Sequence, residues 1–280
     1  MRFDDYLRRI GQSAPAGPSF EVLRRLHLAH RESFLFENRT IQEGGAISLA
    51  MPDLERKFID DGRGGYCFEH NTLFAAALGE AGFESTTLLG RVRRGPAERW
   101  ARTHMVLRLE VEGEVWLADV GFGCAGLVEP MPLRDGAAIE QGGFTYRLRR
   151  DRHLWILSIR DGAGVETDLY EFSEEPQTAM DVEVANHYTS THPDSVFRKT
   201  LTIQRTRRDD RTILRSDVLT RMRRGTIVDA SFPPERLRAI AREEFEIELP
   251  PEPMVFEAAI DLMGRSGPVF RPARHGTGTA

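Results

Sequence analysis

The spacing of apolar residues changes near residue 84, and this change limits the folds that the chain can adopt. Before it, apolar side chains recur every three or four residues, as Val22, Leu23, Leu26 and Ala29 do, which is typical of amphipathic helices. After it, apolar and polar residues alternate in short segments separated by Gly-, Pro- and charge-rich turns, which is typical of antiparallel strands. The sequence therefore predicts a helical N-terminal part followed by an antiparallel sheet or small barrel.

These two periods predict the individual elements. Helices are expected at 3–10, 18–36, 51–60 and 68–81, with Ser19 as an N-cap and Gly82 as a left-handed C-terminal cap. Strands are expected at 85–93, 103–111, 114–120, 144–149 and 153–159. Residues 36–38 are predicted to form a loop and 183–197 an irregular segment. The last part predicts strands at 201–206, 211–214 and 225–228, a helix at 234–245 and a frayed tail at 276–280.

Composition and charge exclude several classes of protein. The 280 residues are 40% hydrophobic and 29% charged, as in ordinary soluble globular proteins. The net charge of −5 argues against nucleic acid as the main partner. No run of about 18 apolar residues is present and the first residues do not resemble a secretory signal, so neither a membrane span nor export is expected. The two cysteines are too few for a disulfide framework, which predicts a reducing, cytoplasmic location.

Cys67 is the first candidate for chemistry. It follows the pair Gly64-Gly65, which permits a close backbone approach, and it opens a predicted helix. A thiol in the first helical turn faces unsatisfied N–H groups and the positive end of the helix dipole, and both favour the thiolate. A buried, inert cysteine is the alternative interpretation.

The predicted hairpin 103–120 supplies a base and a carboxylate. If Glu112-Gly113 is the two-residue turn, then Leu109 faces Trp116 and Leu107 faces Ala118, which gives one largely apolar face. In this register His104 and Asp119 are diagonal neighbours on the other face, with Cα atoms about 7–8 Å apart. A slip by one residue would separate them, so the register that buries the apolar side chains also joins the pair. Solvent exposure of both side chains is the alternative.

Several segments together resemble one enzyme family, the arylamine N-acetyltransferases. The segment Arg63-Gly-Gly-Tyr-Cys-Phe-Glu-His-Asn71 resembles its active-site motif, Thr103-His104 its histidine strand, and Asp119-Val-Gly-Phe-Gly123 its aspartate motif. Residues 36–38, 190–197 and 234–249 also match, in the same order. The resemblance implies an α+β fold of three-domain, cysteine-protease-like architecture: an N-terminal helical bundle (1–83), a central antiparallel β-barrel (84–199) and a C-terminal α/β lid with a flexible tail (200–280).

The resemblance implies a Cys67–His104–Asp119 triad that transfers acetyl groups by a ping-pong route. Cys67 would attack acetyl-CoA, and an arylamine or arylhydrazine would then take the acetyl group, with His104 relaying protons and Asp119 fixing its tautomer. Acetyl-CoA would be a co-substrate, with no permanently bound cofactor or metal. Membrane and nucleic acid are not expected as partners, and the oligomeric state is left open.

The resemblance also implies the surroundings of the triad. The N–H groups of Thr103 and Cys67 would stabilise the oxyanion. Three further residues would line the substrate pocket: Phe36, Val92 and Phe122. CoA would lie near Thr103, Gly121, Gly123, Thr191, Ser195 and Phe197. The chain departs from the family pattern at His70, where leucine is more usual, and at Cys124, where a small residue is.

Three other functions are weighed against this one. An amide synthase of the same fold would take a carrier-bound acyl thioester, and its triad would be the same. A transglutaminase or cysteine hydrolase shares Cys, His and Asp in that chain order, but the Gly121-Phe-Gly123 turn and the lid segment disfavour it. The intact triad disfavours a non-catalytic binding protein. His27 and His30 have helical spacing, but no third ligand is evident, so no zinc site is predicted.

Overall fold

A computed structural model describes residues 1–94, 100–251 and 254–256. Its α-helices are α1 (Phe3–Arg9), α2 (Phe20–Ser33), α3 (Arg39–Gln42), α4 (Met51–Glu55), α5 (Cys67–Glu80), α6 (Ala179–Thr191), α7 (Val196–Lys199) and α8 (Leu237–Phe245). A π-helical turn, Arg56–Asp60, extends α4, and a 3-10 turn, Pro234–Arg236, precedes α8. The helices predicted from the apolar spacing of the N-terminal part are confirmed.

The ends of α2 and α5 follow from local chemistry. The Ser19 hydroxyl accepts a hydrogen bond from the Val22 N–H, which satisfies one of the free donors at the start of α2. At the start of α5, the Glu69 carboxylate accepts from the Tyr66 N–H at 3.1 Å and pairs with Lys57 at 2.6 Å. Gly82 follows α5 with a φ of +86°, the left-handed conformation expected of a C-terminal cap.

Among the described residues, the central sheet has eight antiparallel strands in the order β5-β4-β3-β2-β9-β8-β7-β6. They are β2 (Ser85–Val92), β3 (Arg102–Val111), β4 (Glu114–Ala118), β5 (Met131–Pro132), β6 (Ala138–Gln141), β7 (Phe144–Asp151), β8 (Leu154–Arg160) and β9 (Glu166–Phe172). The two edge strands, β5 and β6, are consecutive in the chain and only residues 133–137 connect them. Because so short a connection joins opposite edges, the sheet must curl into a nearly closed barrel. The predicted α+β class with a central antiparallel barrel is confirmed.

The hairpin of β3 and β4 has the predicted register. Glu112 and Gly113 both have positive φ, 55° and 78°, as a two-residue type I′ turn requires. Leu109 lies opposite Trp116 and Leu107 opposite Ala118. Strand β4 ends at Ala118, so Asp119 is the first residue of the loop that follows.

Within the described part of the chain, the lid contains a five-stranded sheet in the order β1-β10-β11-β12-β13. Its strands are β1 (Phe36–Glu37), β10 (Thr202–Thr206), β11 (Asp210–Arg215), β12 (Val218–Arg223) and β13 (Thr226–Ser231). Helix α8 packs its apolar side chains against one face of this sheet, where Ile203 and Leu214 lie. Since side chains alternate along a strand, residues 202, 204, 213 and 215 point to the opposite face.

Two predicted segments differ from the structure. Phe36-Glu37 was predicted as loop but forms β1, because it pairs with Gln204 and Ile203, more than 160 residues away. Residues 183–197 were predicted as irregular, but most of them belong to α6 and α7. A capping box between Thr178 and Asp181 starts α6, and burial of one of its faces outweighs its many Thr, Ser and Asn residues. Strands β5, β6, β9 and β12 were not predicted, and the tail 276–280 lies outside the described residues.

The predicted domain boundaries at 83/84 and 199/200 stay a prediction. Two elements connect the parts that they separate. Strand β1 belongs to the lid sheet, and Val182 and Ala185 of α6 pack into the core formed by the N-terminal helices. Among the helices of the described residues, none has both the length and the apolar composition needed to cross a membrane.

Candidate active site

Cys67 is the first residue of α5, and two glycine contacts explain its position. A Cβ on Gly64 would lie 1.7 Å from the Leu35 carbonyl oxygen, so only glycine lets the chain pass this close to β1. A Cβ on Gly121 would lie 2.8 Å from the Cys67 Cα, so the loop after β4 packs directly on the cysteine backbone. The Cys67 thiol donates to the Thr103 carbonyl oxygen, with Sγ 3.5 Å away. Cys67 is thereby held beside the residue that precedes His104.

His104 and Asp119 form the hydrogen bond that the hairpin register predicts. The His104 Nε2 lies 2.7 Å from Asp119 Oδ2, and both side chains are buried. Burial opposes ionisation of Asp119. It is outweighed by the attraction of the protonated form of His104, by the hydrogen bond from His104, and by the hydrogen bonds from Asn71 and the Gly121 N–H, which lower the Asp119 pKa to about 2. An ionised carboxylate only accepts, so Nε2 carries the proton and Nδ1 is the basic nitrogen of the ring.

Two polar residues hold Asp119 in place: Asn71, to which the sequence assigned no role, and His27, which was considered only as a metal ligand. The Asn71 amide donates to Asp119 Oδ1 at 3.1 Å and to the Met105 carbonyl at 2.7 Å, while its oxygen accepts from the Val120 N–H. His27 Nε2 accepts from the Asp119 N–H at 3.1 Å. Asn71 lies one helical turn after Cys67, so i, i+4 spacing on α5 was a signal that could have found it.

Aromatic rings enclose the imidazole of His104. Phe122 and Tyr170 lie with ring centroids 4.9 Å and 4.8 Å from that of His104. Tyr170 is fully buried, and burial, followed by the Asp119 charge, holds the pKa of its hydroxyl well above the usual value. Tyr170 belongs to β9, a strand that was not predicted, so sequence reasoning missed it.

The environment of the Cys67 sulfur differs from the expectation of a thiolate stabilised by the helix end. Burial, and then the negative charge of Asp119, raise the pKa of the Cys67 thiol, although the N–H groups of Phe68 and Met105 oppose this. The helix N-terminus alone therefore does not ionise this thiol. A thiolate at Cys67 needs a cation beside it, and His104 is the neighbouring group that can become one.

The site opens into one large cavity of about 1140 Å³. Most of the predicted site residues line it: Phe36, Cys67, Val92, Thr103, His104, Gly121, Phe122, Ser195 and Phe197. Asp119 lies behind His104, and neither Gly123 nor Thr191 lines the cavity. The Thr191 hydroxyl donates to the His187 carbonyl, and the Gly123 carbonyl accepts from Arg31. The Thr103 N–H donates to the Ala101 carbonyl at 2.9 Å, so it is not a free oxyanion donor in this structure.

The remaining candidate residues are buried and hydrogen-bonded. Cys124 is buried away from solvent, and its Sγ lies 3.2 Å from the Arg205 carbonyl oxygen. Burial raises the pKa of its thiol. His27 donates from Nδ1 to the Val128 carbonyl, 2.9 Å away, and so is neutral.

His70 and His30 belong to a buried chain of hydrogen bonds. Tyr6 donates to His30, His30 donates to His70, and His70 donates from Nε2 to the Leu35 carbonyl at 3.1 Å. The ring of His70 also stacks on Phe36, with centroids 6.2 Å apart and planes within 4°. His70 therefore supports the strand that carries Phe36 to the cavity.

A buried thiol and an imidazole that line one large cavity, with a carboxylate hydrogen-bonded behind the imidazole, on helices, a barrel and a lid, have the arrangement of the cysteine–histidine–aspartate class of enzyme sites. Comparison with known proteins narrows this class. The sequence profile of the N-acetyltransferase family matches residues 19–254. The chain belongs to the arylamine N-acetyltransferase family, whose members are acyltransferases.

Individual relatives agree with this assignment. The arylamine N-acetyltransferase of Mycolicibacterium smegmatis is 38% identical over 240 residues, which cover 83% of this chain and 86% of that protein. The crystal structure of the Nocardia farcinica enzyme superimposes with a TM-score of 0.83 at 35% identity, covering 89% of this chain and 90% of that one. The Mycobacterium marinum enzyme in complex with CoA gives a TM-score of 0.81 at 31% identity, covering 88% and 92%.

Proposed function

We propose that this protein transfers the acetyl group of acetyl-CoA to the nitrogen of arylamines and arylhydrazines through an acetylated Cys67. The observation that carries the proposal is that Cys67 and His104 line one cavity, with His104 hydrogen-bonded to an ionised Asp119 behind it. The CoA complex of the Mycobacterium marinum relative supports acetyl-CoA as the donor.

The first half-reaction acetylates the enzyme. The proton of the Cys67 thiol moves to His104 Nδ1, which gives a thiolate and an imidazolium whose Nε2–H bonds to Asp119. The sulfur attacks the acetyl carbonyl carbon, and the bond from that carbon to the CoA sulfur breaks. His104 returns its proton to the departing CoA thiolate, so free CoA leaves and neutral His104 remains.

The second half-reaction transfers the acetyl group to the amine. The amine nitrogen attacks the carbonyl carbon of acetyl-Cys67, and His104 Nδ1 takes the proton that the nitrogen loses. The bond between carbon and Sγ then breaks, which releases the amide, and His104 returns its proton to the Cys67 thiolate, so that the free thiol and neutral His104 are restored. The aromatic side chains of Phe36 and Phe122 on the cavity wall supply apolar surface for an aryl ring.

Intact-protein mass spectrometry tests the acetyl-enzyme. We expect incubation with acetyl-CoA to add one acetyl group to Cys67, and an arylamine to remove it as the amide. Cys67→Ser should remain unmodified, whereas the matched variant Cys124→Ser should be acetylated like the parent. Acetylation of both variants, or amide formation without an acetyl-enzyme, would contradict the proposal. Acylation by a carrier-protein thioester but not by acetyl-CoA would instead favour the amide synthase.

A further inference from the structure

The cavity wall carries four arginines among its described residues, and their charges are not equally balanced. Arg149 donates to Asp168 at 2.9 Å, and Arg93 pairs with Asp168 and Glu171. The carboxylates that line the cavity have partners as well. Asp168 pairs with the two arginines just named, and Asp194 forms an ion pair with Lys199. Arg93 and Arg149 are therefore neutralised by the protein itself.

Arg215 differs from these arginines. Within residues 1–94, 100–251 and 254–256, its guanidinium makes no ion pair and no hydrogen bond, and its Nε is buried. It is the last residue of β11 and lies opposite Thr202 in the lid sheet. This is the sheet face that points into the cavity, and Gln204 on the same face packs against Gly123, close to the reacting residues.

A second arginine further raises the electrostatic free energy of the Arg215 cation, which has no counter-ion among the described residues. Arg94, two residues after the end of β2, also lines the cavity. Burial, and then the charge of Arg94, lower the pKa of Arg215 to about 9, so the group is still a cation at neutral pH. A cation held among low-dielectric surroundings next to a like charge is stabilised by any anion that can reach it.

We propose that Arg215 forms an anion subsite of the cavity that binds an oxyanionic group of a substrate. The planar guanidinium fork suits a carboxylate or a phosphate, which it contacts through two parallel hydrogen bonds. This inference rests on the proposed function, because it assigns a substrate group to the same cavity. The subsite separates acidic from neutral substrates of otherwise equal shape.

Two substrate groups share this chemistry. One is the carboxylate of an acidic arylamine such as p-aminobenzoate. The other is a phosphate of the donor, acetyl-CoA. Both belong to molecules that must enter a cavity of about 1140 Å³, so the experiment has one arm for each.

Binding to a non-reacting enzyme tests the subsite without relying on catalysis. In a Cys67→Ser background, CoA and p-aminobenzoate are each titrated calorimetrically into the parent, Arg215→Gln and Arg149→Gln. Arg149→Gln is the matched control, since it removes the same charge from the lining of the same cavity but from a paired arginine. Methyl p-aminobenzoate and pantetheine, which lack the carboxylate and the phosphates, are the neutral ligands.

We expect Arg215→Gln to weaken the binding of one of the two anionic ligands by about 10- to 100-fold in Kd, as the loss of a charged hydrogen bond does. Its neutral counterpart should bind within about two-fold of the parent. If only p-aminobenzoate binding is weakened, Arg215 binds the carboxylate of the acceptor. If only CoA binding is weakened, Arg215 binds a phosphate of the donor. Arg215→Lys, which keeps the charge but not the fork, should give an intermediate loss and serves if the Gln variant does not fold.

Two results would overturn the inference. One is unchanged binding of both anions in Arg215→Gln, and the other is an equal loss for the neutral ligands or in Arg149→Gln. Failure of the parent enzyme to acetylate any arylamine would refute the proposed function instead, and these titrations would still decide whether Arg215 binds an anion.

Discussion

Replacement of Gly121 by alanine tests whether the packing of α5 against the loop after β4 sets the rate of acetyl transfer. A Cβ at this position would lie 2.5 Å from Asn71 Nδ2 and 2.8 Å from the Cα and the carbonyl oxygen of Cys67. Gly121 is not among the described glycines with positive φ, so alanine can adopt its backbone conformation. The added volume, and not backbone strain, is therefore the perturbation.

The size of the effect follows from these distances. Ordinary contacts begin near 3.4 Å, so Cys67 and Gly121 must separate by about 0.6 Å. A displacement of about 1 Å costs on the order of 10²-fold in rate, so we expect acetylation of Cys67 to slow by about 10- to 30-fold. Overpacking a core contact costs about 1–3 kcal/mol of unfolding free energy, which lowers the Tm by about 2–4 °C for each kcal/mol.

Single-turnover acetylation of Cys67 by acetyl-CoA, together with thermal unfolding, measures both effects. Gly79→Ala is the matched control, because a Cβ on this residue of α5 meets no atom within 4 Å. That substitution should leave the rate unchanged and raise stability by up to about 1 kcal/mol through helix propensity. If Gly121→Ala acetylates and melts like the parent, the contact does not position the nucleophile.

Three further predictions concern charge and protonation. His104→Ala should slow iodoacetamide labelling of Cys67 at neutral pH by at least about ten-fold, because burial raises the pKa of the isolated thiol; equal labelling rates would mean that His104 is not its base. Asp119→Asn should lower the acetylation rate by about 10³–10⁴-fold while Cys67 stays in place, and a loss below ten-fold would argue against tautomer control. His27 and His70 are neutral in the fold, since burial lowers their pKa values to about 4 and about 3 from the usual 6.5. The unfolded chain binds protons first on acidification, so the stability that they contribute is complete above pH 6.5 and falls by about 1.4 kcal/mol per pH unit per histidine toward those values. Urea unfolding at several pH values should show this slope, with a smaller one in His70→Leu, and a flat profile would contradict it.

The histidine–aspartate pair could be predicted because its geometry is local. Two strands joined by two residues have a register that apolar burial fixes, and alternation then places His104 and Asp119 on one side. Only the resemblance to a known family predicted that this pair acts together with Cys67. That residue is 37 residues from His104 and lies on helix α5, outside the barrel sheet. Neither periodicity nor spacing could have placed Cys67 beside Thr103, the residue before His104.

The rest of the site depends on partners that are distant in the chain. Phe36 joins a strand only because β10 lies beside it, and Tyr170 packs on His104 from a strand whose acidic residues obscure its alternation. The state of the Cys67 thiol could not be predicted either. Its helix position is visible in the sequence, but the burial that raises its pKa exists only after the layers assemble.

The Asn71 side chain connects α5, β3 and the loop after β4 through three hydrogen bonds. The start of α5 thus carries both Cys67, the proposed nucleophile, and the amide that orients the Asp119 carboxylate behind His104, its proposed base. If α5 detaches from the barrel, the Cys67 sulfur leaves the site. At the same time Asp119 loses the hydrogen bond from Asn71 that orients it beside His104. Loss of catalysis on heating should then be all-or-none, and proteolytic halves cut between the helical and barrel segments should each be inert until they reassociate.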